Sequence, residues 1–217
     1  STYADDLCLP SIHIGANDAG SLRTWLDSGT GHLGSISGLS IFHVAEAGDI
    51  IASFSSRGPG LPPVEDVMKP DMIAPGVQIF GAWDLGNSNV FSSGTSFASP
   101  HVAGAAALLK SIHPDWTPAM INSALLTTAT PELAMDFDDS LENIHKRGAG
   151  RPRLDLAVNA GLYLDVSQDE FDRANPMSPG DPKMLNLPGL IDSSCSGSCV
   201  FQRVVTDLVG GASWVAA

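Results

Sequence analysis

Residues Ser92 to Leu109 read Ser-Ser-Gly-Thr-Ser-Phe-Ala-Ser-Pro-His-Val-Ala-Gly-Ala-Ala-Ala-Leu-Leu, a polar turn that passes directly into an apolar run of small residues. No other stretch constrains the fold as strongly. Gly94 permits close backbone approach, Pro100 belongs in the first turn of a helix, and Ala103, Gly104, Ala105 and Ala106 make a helix that neighbours can approach tightly. Ser96 sits where the turn becomes the helix. Its hydroxyl and its backbone N–H therefore lie at the positive end of the helix dipole, among donors with no intrahelical partner. A serine there has two uses. The common one is to cap the helix; the other is to serve as a nucleophile beside donors that steady an oxyanion.

The run Gly94 to Gly104 resembles the active-site serine segment of the subtilisin-like serine proteases, the subtilases. Two upstream pieces, Ala52-Ser53-Phe54-Ser55-Ser56-Arg57-Gly58-Pro59 and Lys69-Pro70-Asp71-Met72-Ile73-Ala74-Pro75-Gly76-Val77, resemble the segments that precede that serine in the family, in the same order and at matching spacing. The resemblance covers roughly residues 46 to 165. It implies an α/β fold, the C-terminal half of a subtilisin-like three-layer parallel-sheet catalytic domain. It also implies a serine endopeptidase that acts on protein or peptide substrates through an Asp/His/Ser triad, secreted to the extracellular space. Ser96 is then the catalytic residue, and Gly94, Thr95 and Ser96 form the oxyanion and active-site loop. No cofactor is implied, and calcium at an unspecified site stays open. Phe97 departs from the family, where the residue after the serine is commonly Met; an aromatic removes an oxidation-sensitive thioether from the site.

The overall totals fit this reading. With 217 residues, 43% of them hydrophobic, the chain is long enough for one good-sized domain or two small ones. Eleven basic against twenty-four acidic residues give a net charge of −13, which argues against a nucleic-acid partner. There is no apolar run of membrane-spanning length. There is no initiator Met and no signal peptide either; the family resemblance implies that the front half of the enzyme lies upstream of Ser1. The oligomeric state is not legible. Of the three cysteines, Cys195 and Cys199 are spaced to close a small disulfide loop or to contribute to a metal site, which would need more ligands than the neighbourhood offers.

In chain order, Leu9 to Gly15 reads as a short strand, with His13 facing solvent. A helix follows from an Asn17 cap through Leu22, Trp25 and Leu26, ended by Gly29, and Ser35 to Val44 alternates as a strand. This order resembles the tail of a protease-associated (PA) domain, which some secreted subtilases carry inserted between the catalytic histidine and serine. Ile50 to Phe54 reads as a buried strand, Leu61 to Lys69 as an exposed loop and Val77 to Trp83 as a strand joined by a short hairpin to Ser92. The serine helix is expected from Ser96 or Phe97 to Ser111. Thr117 caps the next helix, with Pro118 first in it and Met120, Ile121, Ala124 and Leu125 on its apolar face. Pro131 to Asn143 carries five acidic side chains and reads as a solvated loop able to bind calcium. A Gly-rich turn at Gly148 to Arg151 leads into a closing helix. The acidic, Pro-containing stretch Asp169 to Pro182 has the composition of a linker. Phe201 to Thr206 alternates as a strand and resembles the opening of a fibronectin-III-like β-sandwich. The expected organisation is thus 1–46 PA-like, 47–165 catalytic, 166–183 linker, and 184–217 the start of a β-sandwich cut short.

Each local candidate for a triad partner fails. Asp27 and His32 fall at a helix end and in the turn after it, not on separate elements that could face one another. His101 lies five residues along the helix from Ser96, roughly 140° around its axis, and so points away. Asp71 belongs to a segment where the family's aspartate is structural. The chain thus supplies the serine but not the histidine, the aspartate or the oxyanion asparagine, and alone it is expected to be nearly inert. Two rivals differ in kind. One is a catalytically dead, protease-shaped binding protein. The other is an α/β-hydrolase esterase, whose Gly-x-Ser-x-Gly elbow is broken here because Ala98 follows Phe97.

Overall fold

The computed structural model describes residues 14, 16–35, 50–83, 89–131, 144–211 and 213–214. The chain divides into two compact units, Ser1–Ala45 and Glu46–Ala217. In the first, helix α1 spans Ala16–Asp27, starting one residue before the expected Asn17 cap and ending as Gly29 approaches. The expected strands at 9–15 and 35–44 fall, but for residues 14 and 35, outside the described residues, as does the acidic loop beyond Pro131.

The second unit is built around three helices. Helix α2, Thr95–Ile112, follows from the small-residue run and buries Ala105 and Leu109. Pro100 lies in its second turn, not its first; it has no N–H to offer the Ser96 carbonyl four residues back, and the helix continues past it. Helix α3, Pro118–Thr127, starts as expected: the Met120 N–H donates to Thr117 Oγ1 at 3.2 Å, and Pro118 takes the first position. Ile121, Ala124 and Leu125 pack against Ala105 and Leu109 of α2 and against Ala157 of α5, Leu154–Ala157. Leu109 is 1% exposed and Ala124 and Ala157 are fully buried, so the core sits where these three helices meet.

The expected Gly-rich turn follows α4, Ile144–Arg147. Gly148 and Gly150 have φ of 59° and 109°, and a side chain on either would collide with backbone, of Pro70 and Asp71 for Gly148 and of Thr130 for Gly150. The turn lies against the Asp71 segment: the Ala149 N–H donates to the Asp71 carbonyl and the Ile73 N–H to that of Gly150, at 2.9 and 3.0 Å.

Among the described residues two of the expected strands are not formed as such. Strand β1, Ile79–Ala82, pairs antiparallel with β2, Asn89–Ser92, from Ile79 opposite Ser92 to Ala82 opposite Asn89. Strand β3, Leu162–Tyr163, pairs antiparallel with β4, Thr206–Asp207. Among the described residues there is no parallel pair, so the three-layer parallel sheet is not seen in them. Ile50–Phe54 is not a strand: it runs into a turn, Ile50 and Phe54 are exposed, and among the described residues no strand pairs with it. Of Phe201–Thr206 only Thr206 is in a ladder, because β3 offers two residues to pair with. The stretch with linker composition holds helix α6, Gln168–Arg173, opened by a capping box between Ser167 and Glu170. The Leu61–Lys69 loop is also less open than expected, since Met68 is buried beneath Gly189.

Candidate functional site

The site is assembled where β2 delivers the chain to α2. Gly94, at the cap position, is extended (φ 162°, ψ 159°) and offers no side-chain acceptor to the helix. Thr95 and Ser96 occupy the first two helical positions, both exposed. The first hydrogen bond of the turn runs from the Phe97 N–H to the Gly94 carbonyl, at 3.0 Å. Among the described residues the Ser96 hydroxyl and N–H have no hydrogen-bond partner. Both remain available to a ligand, and no acidic side chain in this first turn offsets the positive end of the helix. Chemically, the arrangement presents a hydroxyl and an N–H together at a point that favours negative charge.

The turn is tied down on one side. The Gly94 N–H donates to the Gly76 carbonyl and the Gln78 N–H to Ser93 Oγ, both at 2.8 Å. A side chain on Gly76 would come within 2.8 Å of the Gly94 carbonyl and 3.2 Å of Ala98 Cβ, so the two backbones are in direct contact there. The sequence places Ala74-Pro75-Gly76 in the segment that precedes the serine but gives neither Gly76 nor Ser93 a role of its own. The signal is faint because each bond joins residues more than a dozen positions apart.

None of the four described histidines is hydrogen-bonded to Ser96. The ring of His101 bonds back to the Phe97 carbonyl at 2.8 Å, one turn down its own helix, and is exposed. His32 bonds the Gly29 carbonyl at 3.0 Å and lies against Trp25, with ring centroids 4.2 Å apart. His113 bonds the Val158 carbonyl at 2.8 Å and stacks flat on Trp116. His145 packs beside Gly58, and its carbonyl accepts the Gly58 N–H at 2.9 Å. Asp71 pairs with Lys69 at 2.6 Å, close to the surface. Cys195 and Cys199 form a disulfide, which removes the metal-site alternative for that pair. Among the described residues no three His, Cys, Asp or Glu side chains cluster as metal ligands would, and no helix is long and apolar enough to cross a membrane.

The model of the subtilase family (peptidase S8) matches residues 4–160. Subtilisin-like protease SBT2.4 of Arabidopsis thaliana is 50% identical, the match covering 73% of this chain and 24% of the relative. SBT1.6 of the same plant is 37% identical, over 75% of this chain and 24% of its own. Among solved structures, the patellamide maturation protease PatA is 36% identical over 40% of this chain and 31% of its own, with a TM-score of 0.31, at which nothing about the overall fold follows. The chain belongs to the subtilase family, whose class is α/β, and spans about a quarter of the length of these relatives.

Proposed function

We propose that this chain carries the nucleophile, Ser96, of a secreted serine endopeptidase. The observation that supports it most directly is the exposed Ser96 in the first turn of α2, its hydroxyl and N–H both open to a ligand, in a chain of the subtilase family. The reaction is acyl transfer. The Ser96 oxygen attacks the peptide carbonyl carbon while a histidine removes its proton, and an aspartate orients that histidine. The oxyanion is held by the Ser96 N–H with an asparagine side chain, aided by the Thr95 hydroxyl; the leaving amine takes the proton from the histidine, and water then releases the acyl group. The histidine, aspartate and asparagine come from outside this chain, in keeping with the four described histidines being engaged away from Ser96. No cofactor takes part. The disulfide at Cys195 and Cys199 fits an oxidising, extracellular setting.

A fluorophosphonate probe tests this reading. Ser96 in the folded full-length protein is expected to be labelled, and Ser96→Ala to abolish labelling; an unreactive Ser96 there would favour the catalytically dead binding protein. The isolated chain is expected to cleave casein no faster than background, since losing triad members removes several orders of magnitude in rate. Robust hydrolysis by it, abolished in Ser96→Ala, would show that the chain needs no outside residues.

A further inference from the structure

We infer that Ser93 is a positioning residue for the Ser96 nucleophile, acting through a two-point latch on the segment Gly76 to Gln78; the inference rests on the reading of Ser96 as nucleophile. The first point is the Gln78 N–H on Ser93 Oγ, the second the Gly94 N–H on the Gly76 carbonyl, each at 2.8 Å. Among the described residues Gln78 is the one non-glycine residue with positive φ, 53°. A residue held in that sparsely populated region persists where its surroundings fix it, and such residues gather at functional sites. Here the Ser93 hydroxyl receives the N–H of that very residue. Ser93 is not a helix cap: α2 has no side-chain cap hydrogen bond, and the hydroxyl is turned to Gln78.

The consequence for Ser96 is geometric. The latch fixes Ser93 and Gly94, the two residues immediately before the first helical position. Those residues set where the first turn of α2 begins and hence where the Ser96 hydroxyl points. The β1–β2 ladder ends at Ser92, opposite Ile79, so beyond it, without the hydroxyl of Ser93, a single bond is left to hold Gly94, the residue type with the widest backbone freedom. The close approach of Gly76 to the Gly94 carbonyl and Ala98 Cβ leaves no room for the turn to settle deeper, so loosening moves it outward.

The test uses the full-length protein that contains this chain. Ser93→Ala and Ser93→Thr are compared with the unsubstituted protein for the rate of Ser96 labelling by a fluorophosphonate probe, for kcat and KM on a peptide substrate, and for Tm. Ser93→Ala is expected to lower the labelling rate and kcat about ten- to a hundred-fold, since displacements near 1 Å carry penalties of that order. KM and Tm are expected to change little, and Ser93→Thr, which keeps the hydroxyl, to recover most of the rate. Equal labelling rates in Ser93→Ala and the unsubstituted protein would overturn the latch. So would a loss of kcat that only tracks a loss of folded protein, or no recovery in Ser93→Thr. No labelling even without substitution would sink the nucleophile reading and this inference with it.

Discussion

Thr117 shows how much one side chain does outside the site. Its hydroxyl accepts the Met120 N–H, one of the four donors that a helix start leaves without an internal partner, and so holds the first turn of α3 onto the core. Thr117→Ala is expected to cost about 1 kcal/mol, which for a domain of this size lowers Tm by about 2–4 °C; differential scanning calorimetry measures it, and an unchanged Tm would mean that packing alone fixes the helix start. This residue was readable in advance because a cap, a first-position proline and an apolar period coincide within a few positions. Ser96 was readable for a similar reason, a long local string. Ser93 was not, since its partner Gln78 lies fifteen residues away and no local pattern marks it. Ser123 was hidden in the same way: it is 1% exposed, yet its hydroxyl accepts the Leu164 N–H forty-one residues on, so a polar residue on the apolar face of α3 is a bridge.

At the scale of elements, α6 is the clearest departure from the sequence reading. Its acidic residues suggest a solvated linker, but Ser167 followed by Glu170 is a capping box, and the charges that look linker-like suit the positive end of a helix. The Ser167 N–H and hydroxyl both donate to Glu170 Oε2 at 2.7 Å. These bonds, the one from the backbone N–H foremost, hold the Glu170 carboxyl below its ordinary value. A depressed carboxyl contributes stability that is present above its unfolded pKa, about 4.3, and is lost as pH falls through the lower folded one. The protection of α6 amides, taken relative to the intrinsic exchange rate at each pH, is therefore expected to fall below about pH 4.3, and Glu170→Gln to flatten that response; identical protection profiles for the two proteins would remove the carboxyl from the account. Strands fared worse for a physical reason. A helix carries its own hydrogen bonds, whereas Ile50–Phe54 and Phe201–Thr206 have strand-like composition but need a partner ladder, and composition does not say whether one is there.

Over the whole second unit, α2 has two different sides. Leu109 is 1% exposed within the three-helix core, while its neighbour Leu108 and also Ile112 are each 57% exposed. Around the helix axis Leu108 and Ile112 stand about 100° and 60° from Leu109, so the apolar stripe of α2 runs on past its buried strip, and a stripe that wide is ordinarily covered across its width. In the isolated chain Leu109→Ala is expected to cost about 2–5 kcal/mol and Leu108→Ser to stay within about 0.5 kcal/mol, read from urea denaturation midpoints. In the full-length protein Leu108→Ser is expected to become costly, because the outer side of α2 would then be covered; equal, small effects in both would leave that side facing water. The segment after Asp181 also belongs to this unit. Arg203 donates to the carbonyls of Leu187 and Gly189, and its partial burial lowers its pKa, while the Ser193 N–H reaches Asp66 Oδ1 at 2.6 Å. At the tip of that segment the disulfide joins residues only four apart. Cross-links gain their effect mainly by narrowing what the unfolded chain can sample, and a ring this small narrows it little, about 2 kcal/mol against about 4.7 kcal/mol for a loop of a hundred residues. The thiol chemistry of the surroundings therefore decides the shape of one exposed turn and leaves the folding of the unit to its helices.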